Sequence, residues 1–320
     1  MKKTLAVCLL ALCLSLTACS GDTVIYQVQC DHEDLPQTDP QPVPEPEGDA
    51  VKTGLAIRTD ISGSRSAEGA SYAVLVAAVS VDDEGVIRAC TVDSVRTQLA
   101  FDENGVISAP PAAVPTAKDS GEGAAELAAI ADFAVGKQLA QLRLEGDTIP
   151  APWLDVLETA AVRARHLGAS VDDELRLALL GDLSGSLSAT EGEAGRARLG
   201  CDAAAVTFDG DTITACRIDS VQADVVFDAM GTVLSDVNAA VKTKTELGED
   251  YGMKRYGGAK YEWYEQAEHF ADYVTGKTAA QVAAIAVAEG KPANADLATS
   301  VTISITPFQA LIARAAGGGA

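Results

Sequence analysis

The sequence predicts an α+β protein: two tandem copies of one strand-then-helix domain, placed behind an N-terminal signal and a disordered linker. Three observations predict this. First, four segments recur in the same order. "GLAIRTDISGSRSA" at 54–67 matches "LRLALLGDLSGSLSA" at 175–189, and "ACTVDSVRTQLAFDENG" at 89–105 matches "ACRIDSVQADVVFDAMG" at 215–231. "ADFAVGKQLAQ" at 131–141 matches "ADYVTGKTAAQ" at 271–281, and "PWLDVLETAA" at 152–161 matches "PFQALIARAA" at 307–316 more loosely. Second, each copy opens on apolar runs parted by acidic and glycine turns. Third, each copy closes on helical periodicity. A period of about 120 residues suits two copies of a domain, not a solenoid. The copies are expected over 53–173 and 174–320.

Residues 1–18 read as a secretory signal. Lys2 and Lys3 precede an apolar run at 4–16 that is too short to span a membrane as a mature helix. Leu16-Thr17-Ala18-Cys19 resembles a bacterial lipoprotein lipobox. The resemblance implies cleavage before Cys19, acylation of its thiol and a stable bilayer anchor. An ordinary cleavage site beside a chance cysteine is the alternative. Residues 19–52 form an acidic, proline-rich linker, since "DHEDLPQTDPQPVPEPEGDA" stays extended and unpacked.

In the first copy, "SYAVLVAAVSVD" and "GVIRACTVDSV" read as strands of a hairpin turned at "DDEG"; "DGD" takes the turn in the second copy. "TQLAFDENG" supplies a further strand and turn. In the second copy, Lys260, Trp263, Ala267, Phe270 and Val274 mark a helical stripe ended by Gly276. "TAAQVAAIAVAEG" reads as a helix capped by Thr278. A last helix starts near "TPFQALIARAA", with Thr306 as cap and Pro307 in the first turn.

The net charge of −22 is spread over a 320-residue chain. That argues against nucleic acid, whose phosphates need a cationic face, and fits a solvated secreted surface. Cys30, Cys90, Cys201 and Cys216 remain once the signal leaves and Cys19 is acylated. They show no metal-ligand spacing, and no metal site is expected. Cys201 and Cys216 either face each other across the turn "FDGDT" as a disulfide, or Cys216, with Cys90 at the matching repeat position, serves as a small buried apolar group. No nucleophile elbow, phosphate loop or dinucleotide fingerprint is present, and His32, His166 and His269 are scattered. Hydrolysis has no support, and a non-enzymatic role is favoured.

Matching motifs are offset by 127 residues at Gly121 and Gly248 but by 140 at Asp132 and Asp272. The second copy therefore gains residues, and they fall in an aromatic stretch of a chain that is only 5% aromatic. Trp263 and Phe270 also read as core residues. Tyr251, Lys254, Arg255 and Tyr256 sit in the glycine-punctuated "YGMKRYGG", where a mobile loop is expected. With Trp263 they are ligand-contact candidates: rings stack on flat solutes, and the two cations meet an anionic group.

"NADLATSVTIS" at 294–304 resembles the signature of the FMN-binding domain family of exported lipoproteins and quinone-reductase subunits. The resemblance puts Asp296, Thr299 and Ser304 in the cofactor site and makes Thr302 the threonine that carries FMN through a phosphoester. Ser300 and Val301 depart from the small residues of that signature. The alternative is a strand over "TSVTISIT". The second copy also resembles tandem-repeat lipoproteins of anaerobic Gram-positive bacteria.

Together these readings give a protein lipid-anchored on the extracytoplasmic face of the cell membrane. It is either a flavin module linked to exported electron transfer, or a binding or structural lipoprotein that recognises a small aromatic solute or an envelope partner.

Overall fold

The computed structural model describes residues 49–317 except Ala112 and Glu122. The signal, Cys19, Cys30 and the linker to residue 48 lie outside the described residues. The first strand already begins at Ala50, not at 53. The described residues of the spans expected as two domains lie within one compact unit.

The mixed α+β content is arranged in four layers. β1 (Ala50–Asp60), β2 (Ala70–Val81), β3 (Ile87–Leu99) and β4 (Arg165–Ser170) form an antiparallel sheet of order β3-β2-β1-β4. β5 (Glu174–Asp182), β6 (Gly195–Asp209) and β7 (Thr212–Phe227) form a second antiparallel sheet, β5-β6-β7. The two sheets face each other across one core. Helices cover each outer face.

Side-chain alternation explains the layering. In β2, Val74, Val76 and Ala78 point at the other sheet, while Leu75, Ala77, Val79 and Val81 point at helices. In β6, Leu199, Cys201, Ala203 and Ala205 meet the first sheet, and Ala204, Val206 and Phe208 meet the other helix layer. A central strand covered on both faces needs no polar partner residues, so it reads as a continuous apolar run.

The first helix layer holds α1 (Ala117–Ser120), α2 (Ala124–Ala134), α3 (Leu139–Leu144) and α4 (Ala151–Val162). Gly54 lets α4 lie on β1: a Cβ there would sit 2.1 Å from the Ala160 carbonyl oxygen. The second layer holds α5 (Lys244–Leu247), α6 (Met253–Gly257), α7 (Trp263–Val274), α8 (Ala279–Ala283), α9 (Ala295–Ala298) and α10 (Thr306–Ala315). α4 packs on β1 and β2 as α10 packs on β5 and β6.

The facing halves touch reciprocally. Ala67 N–H donates to the Gly231 carbonyl at 2.8 Å, and Ala189 N–H donates to the Gly105 carbonyl at 2.8 Å. Val233 N–H donates to Ser66 Oγ and Ile107 N–H to Ser188 Oγ, both at 3.0 Å. The motif counterpart of each residue pairs with the motif counterpart of its partner, the pattern of an isologous interface.

Several local expectations change. α8 stops at Ala283; a two-stranded turn then follows, β8 (Val287–Ala288) with β9 (Lys291–Pro292). Thr278 does cap α8, accepting from Gln281 N–H. Thr306 is the first residue of α10, not its cap; Ile305 stands at the N-cap and offers no side-chain hydrogen bond. Residues 299–305 contain no strand. "YGMKRYGG" is not a mobile loop without helix: Met253–Gly257 is a helical turn between Gly252 and Gly258, both left-handed. Lys260 lies outside α7. Cys201 and Cys216 are free. They occupy opposite faces of the second sheet, Cys201 in the inter-sheet core and Cys216 under the helices, so no disulfide can join them.

Candidate functional site

The aromatic stretch is organised by two buried polar side chains. Glu262 and Gln266 are each 1% exposed. The Glu262 carboxylate accepts from Met253 N–H at 2.8 Å and Lys254 N–H at 3.0 Å, so it supplies partners for the unpaired amides that open α6. Gln266 donates to the Tyr261 carbonyl at 2.9 Å; its Oε1 accepts from Thr302 N–H at 2.8 Å and Thr302 Oγ1 at 3.2 Å. One side chain thus ties α7 to the segment after α9.

The structure scatters the ligand-contact candidates. Trp263 is buried, edge-on to Phe308 with ring centroids 5.9 Å apart. Lys254 Nζ pairs with Glu265 at 2.7 Å, and the Arg255 guanidinium lies over the Tyr256 ring at 5.3 Å. Tyr256 is 77% exposed. Tyr251 is half-buried, and burial pushes its phenol up.

The flavin candidates do not form a phosphoester cradle. Asp296 and Thr299 are exposed on α9 and just after it, and Thr299 Oγ1 donates back to the Asp296 carbonyl at 2.7 Å. Thr302 spends both its amide and its hydroxyl on Gln266. Val301, where the signature has a small residue, is fully buried in the core beneath α10. Covalent FMN on Thr302 therefore does not fit this segment. Ser304 lines a cavity.

That cavity, of about 510 Å³, lies between β5–β7 and the start of α10. Lys244 and Arg198, the carboxylates of Asp182 and Asp202, and the uncharged Ser220, Gln222, Ser304 and Thr306 contribute its polar wall. Sequence reasoning missed Lys244. Its backbone is fixed by Thr243, which caps α5 by accepting from Glu246 N–H, and by Asp219, which accepts from Thr245 N–H at 3.2 Å. Burial pushes the Asp219 carboxyl up, against the pull of the hydrogen bonds from Thr243, Ser220 and Thr245. The Lys244 ammonium lies over the Trp263 ring at 4.8 Å and the Tyr251 ring at 5.7 Å. Burial pulls the amine below its ordinary value; Asp202 and Asp219 oppose that, and Arg198 adds to it. Among the described residues no carboxylate reaches it within ion-pair distance. Arg198, by contrast, is held by Asp224 through two bonds of 2.6 and 2.5 Å. The buried aromatics answer why the insertion is aromatic: two of its rings shelter the one cation in this cavity that has no carboxylate partner.

Among the described residues burial leaves no thiol poised for covalent chemistry. Burial pushes Cys90 and Cys216 up to about 12, so both stay protonated near neutrality. Among the described residues no group of three His, Cys, Asp or Glu side chains could hold a metal ion, and no helix is long and apolar enough to cross a membrane. Comparison of the chain with known protein families, with curated proteins and with solved structures found no match.

Proposed function

We propose that the chain is a lipid-anchored extracytoplasmic protein of two fused copies of one unit, and that its second copy binds a small anionic solute without transforming it. The observation that carries the binding role is Lys244: an ammonium without a carboxylate partner, backed by the faces of Trp263 and Tyr251, at the wall of a cavity of about 510 Å³. Such a cation in partial burial gains more from a ligand carboxylate or phosphate than an exposed lysine does. The Cys90 and Cys216 thiols, held protonated by burial, favour binding over covalent catalysis. The fused-copy reading is supported by equal strand registers and by the reciprocal contacts of Ala67, Gly105, Ala189 and Gly231. The anchor rests on the lipobox and Cys19.

A second reading makes the solute FMN, held without a covalent bond and used in exported electron transfer. Its support is that Ser304, from the segment resembling the flavin signature, shares the cavity with Lys244.

The test is isothermal titration of the mature chain with benzoate, inorganic phosphate, FMN and riboflavin, which lacks the phosphate. An anionic probe is expected to bind, and Lys244→Met is expected to weaken it by roughly tenfold or more, the value of a charge-assisted hydrogen bond. FMN binding tighter than both riboflavin and benzoate selects the flavin reading. Absence of binding by every anion, or unchanged affinity in Lys244→Met, overturns the proposal. For the anchor, labelled palmitate should enter the wild-type chain and not Cys19→Ser.

A further inference from the structure

The seam between the two halves is open on one side and closed on the other. On the closed side Val114 bridges to Gly181 on the edge of β5, and Arg314 pairs with Asp119. A Cβ on Gly181 would come within 3.0 Å of the Val114 side chain, so the approach depends on glycine. The motif counterpart of Gly181 is Thr59, and that of Val114 is Val241. At Thr59 a branched side chain stands where Gly181 has none, and no bridge from residue 241 to β1 forms. A cleft of about 700 Å³ remains there between β1, α4 and the segment 237–242.

We propose that this cleft is a second ligand site, separate from the Lys244 cavity, which takes a short zwitterionic peptide of two or three residues across the seam. Its walls carry unspent groups of opposite sign. Asp60, at the end of β1, makes no ion pair among the described residues; the hydrogen bonds from Ser62, whose N–H donates to Oδ1 at 2.7 Å, hold its carboxyl below the ordinary value, and the nearby Arg58 adds to that pull. Lys242, on the facing segment from the other half, makes no ion pair or hydrogen bond among the described residues. The remaining wall charges are already matched, Arg58 with Asp155 and Arg163 with Glu246. A net anion or a net cation would therefore meet one repulsive partner for each attractive one, whereas a dipolar ligand satisfies both free groups at once. Thr59 Oγ1 and Arg163 Nη1, from residues lining the cleft, are buried with no protein partner, as at sites completed by a bound molecule. Ile57, Ile61 and Val156 give the floor apolar contact, and the volume lies within the usual range of small-molecule pockets.

The test is calorimetric titration of the mature chain with trialanine, N-acetyl-trialanine and trialanine amide. Trialanine is expected to bind, and blocking either terminus is expected to weaken it roughly tenfold or more. Asp60→Asn should lose the preference for the free amine and Lys242→Gln the preference for the free carboxylate, with unchanged melting temperatures. Lys244→Met should leave trialanine binding intact, which separates this site from the other. No binding of trialanine, or binding indifferent to both termini or to both variants, overturns the proposal.

Discussion

Phe101 and Phe227 stack ring on ring, with centroids 3.9 Å apart and planes 10° from parallel. They are counterparts in the repeated segment, Phe101 two residues past the end of β3 and Phe227 the last residue of β7, and both are buried in the inter-sheet core. A residue that packs on its own counterpart lies where the two halves are related to each other. This pair therefore joins the two sheets into one cooperative body. Phe101→Ala and Phe227→Ala are each expected to cost about 3–5 kcal/mol, as large cavities in a shared core do. Urea denaturation followed by tryptophan fluorescence, which reports Trp153 in one half and Trp263 in the other, should show a single transition in the wild type. Two separate transitions would contradict the shared core.

The turn at Gly231 is sensitive to a single methyl group. Its φ of 68° is left-handed, and a Cβ would sit 2.2 Å from the Asp102 carbonyl oxygen of the other half. Gly231→Ala is expected to lower stability by more than about 1 kcal/mol. Gly200→Ala is the control: its added Cβ meets nothing closer than 3.8 Å, and its φ is not left-handed. Thermal unfolding distinguishes the two.

The seam pair Arg314–Asp119 gives an acid-side dependence. The hydrogen bond from Arg314 holds the Asp119 carboxyl below its ordinary 3.8. A depressed carboxyl contributes stability that is present above its unfolded value and lost as pH falls through its folded value. Asp119→Asn should flatten that part of the stability–pH curve below about pH 4 and leave neutral pH little changed, because the pair is partly exposed. An identical acid slope in the variant would contradict the pairing.

Glu262 is expected to hold α6 in place. Glu262→Ala frees the Met253 and Lys254 amides, which should then exchange with deuterium faster, with a stability loss of about 1–3 kcal/mol. Unchanged exchange at those two amides would contradict the role given to this carboxylate.

Much of the fold was legible in the sequence because it follows from patterns of short range. The hairpin at 82–85 is fixed by "DDEG", where Asp82 Oδ1 accepts from Val86 N–H. The caps at Thr278 and the stop at Gly276 were equally local. The face-to-face sheets were not legible, since periodicity cannot tell which layer covers which face of a run such as "AVLVAAV". The site was half legible. The aromatic insertion drew attention to Trp263 and Tyr251, but their rings face Lys244, which precedes both in the chain, a relation that only the folded α5–α7 packing creates. Lys244 carries no motif. In the FMN-like segment the burial of Val301 follows from packing under α10, which spacing alone does not give.

The measurement that tests the binding role most directly is the affinity for benzoate as a function of pH. The ligand stays anionic throughout; burial raises the Tyr251 phenol above its ordinary value and pulls the Lys244 amine below its own, and Lys244→Met isolates the lysine's share of any alkaline change. Binding is predicted to persist while the amine is protonated and to be lost as pH rises through its depressed value, below the ordinary 10.5 of lysine, with no such loss left to observe in Lys244→Met. Affinity that is flat across the alkaline range, or equal in Lys244→Met and wild type, would contradict it.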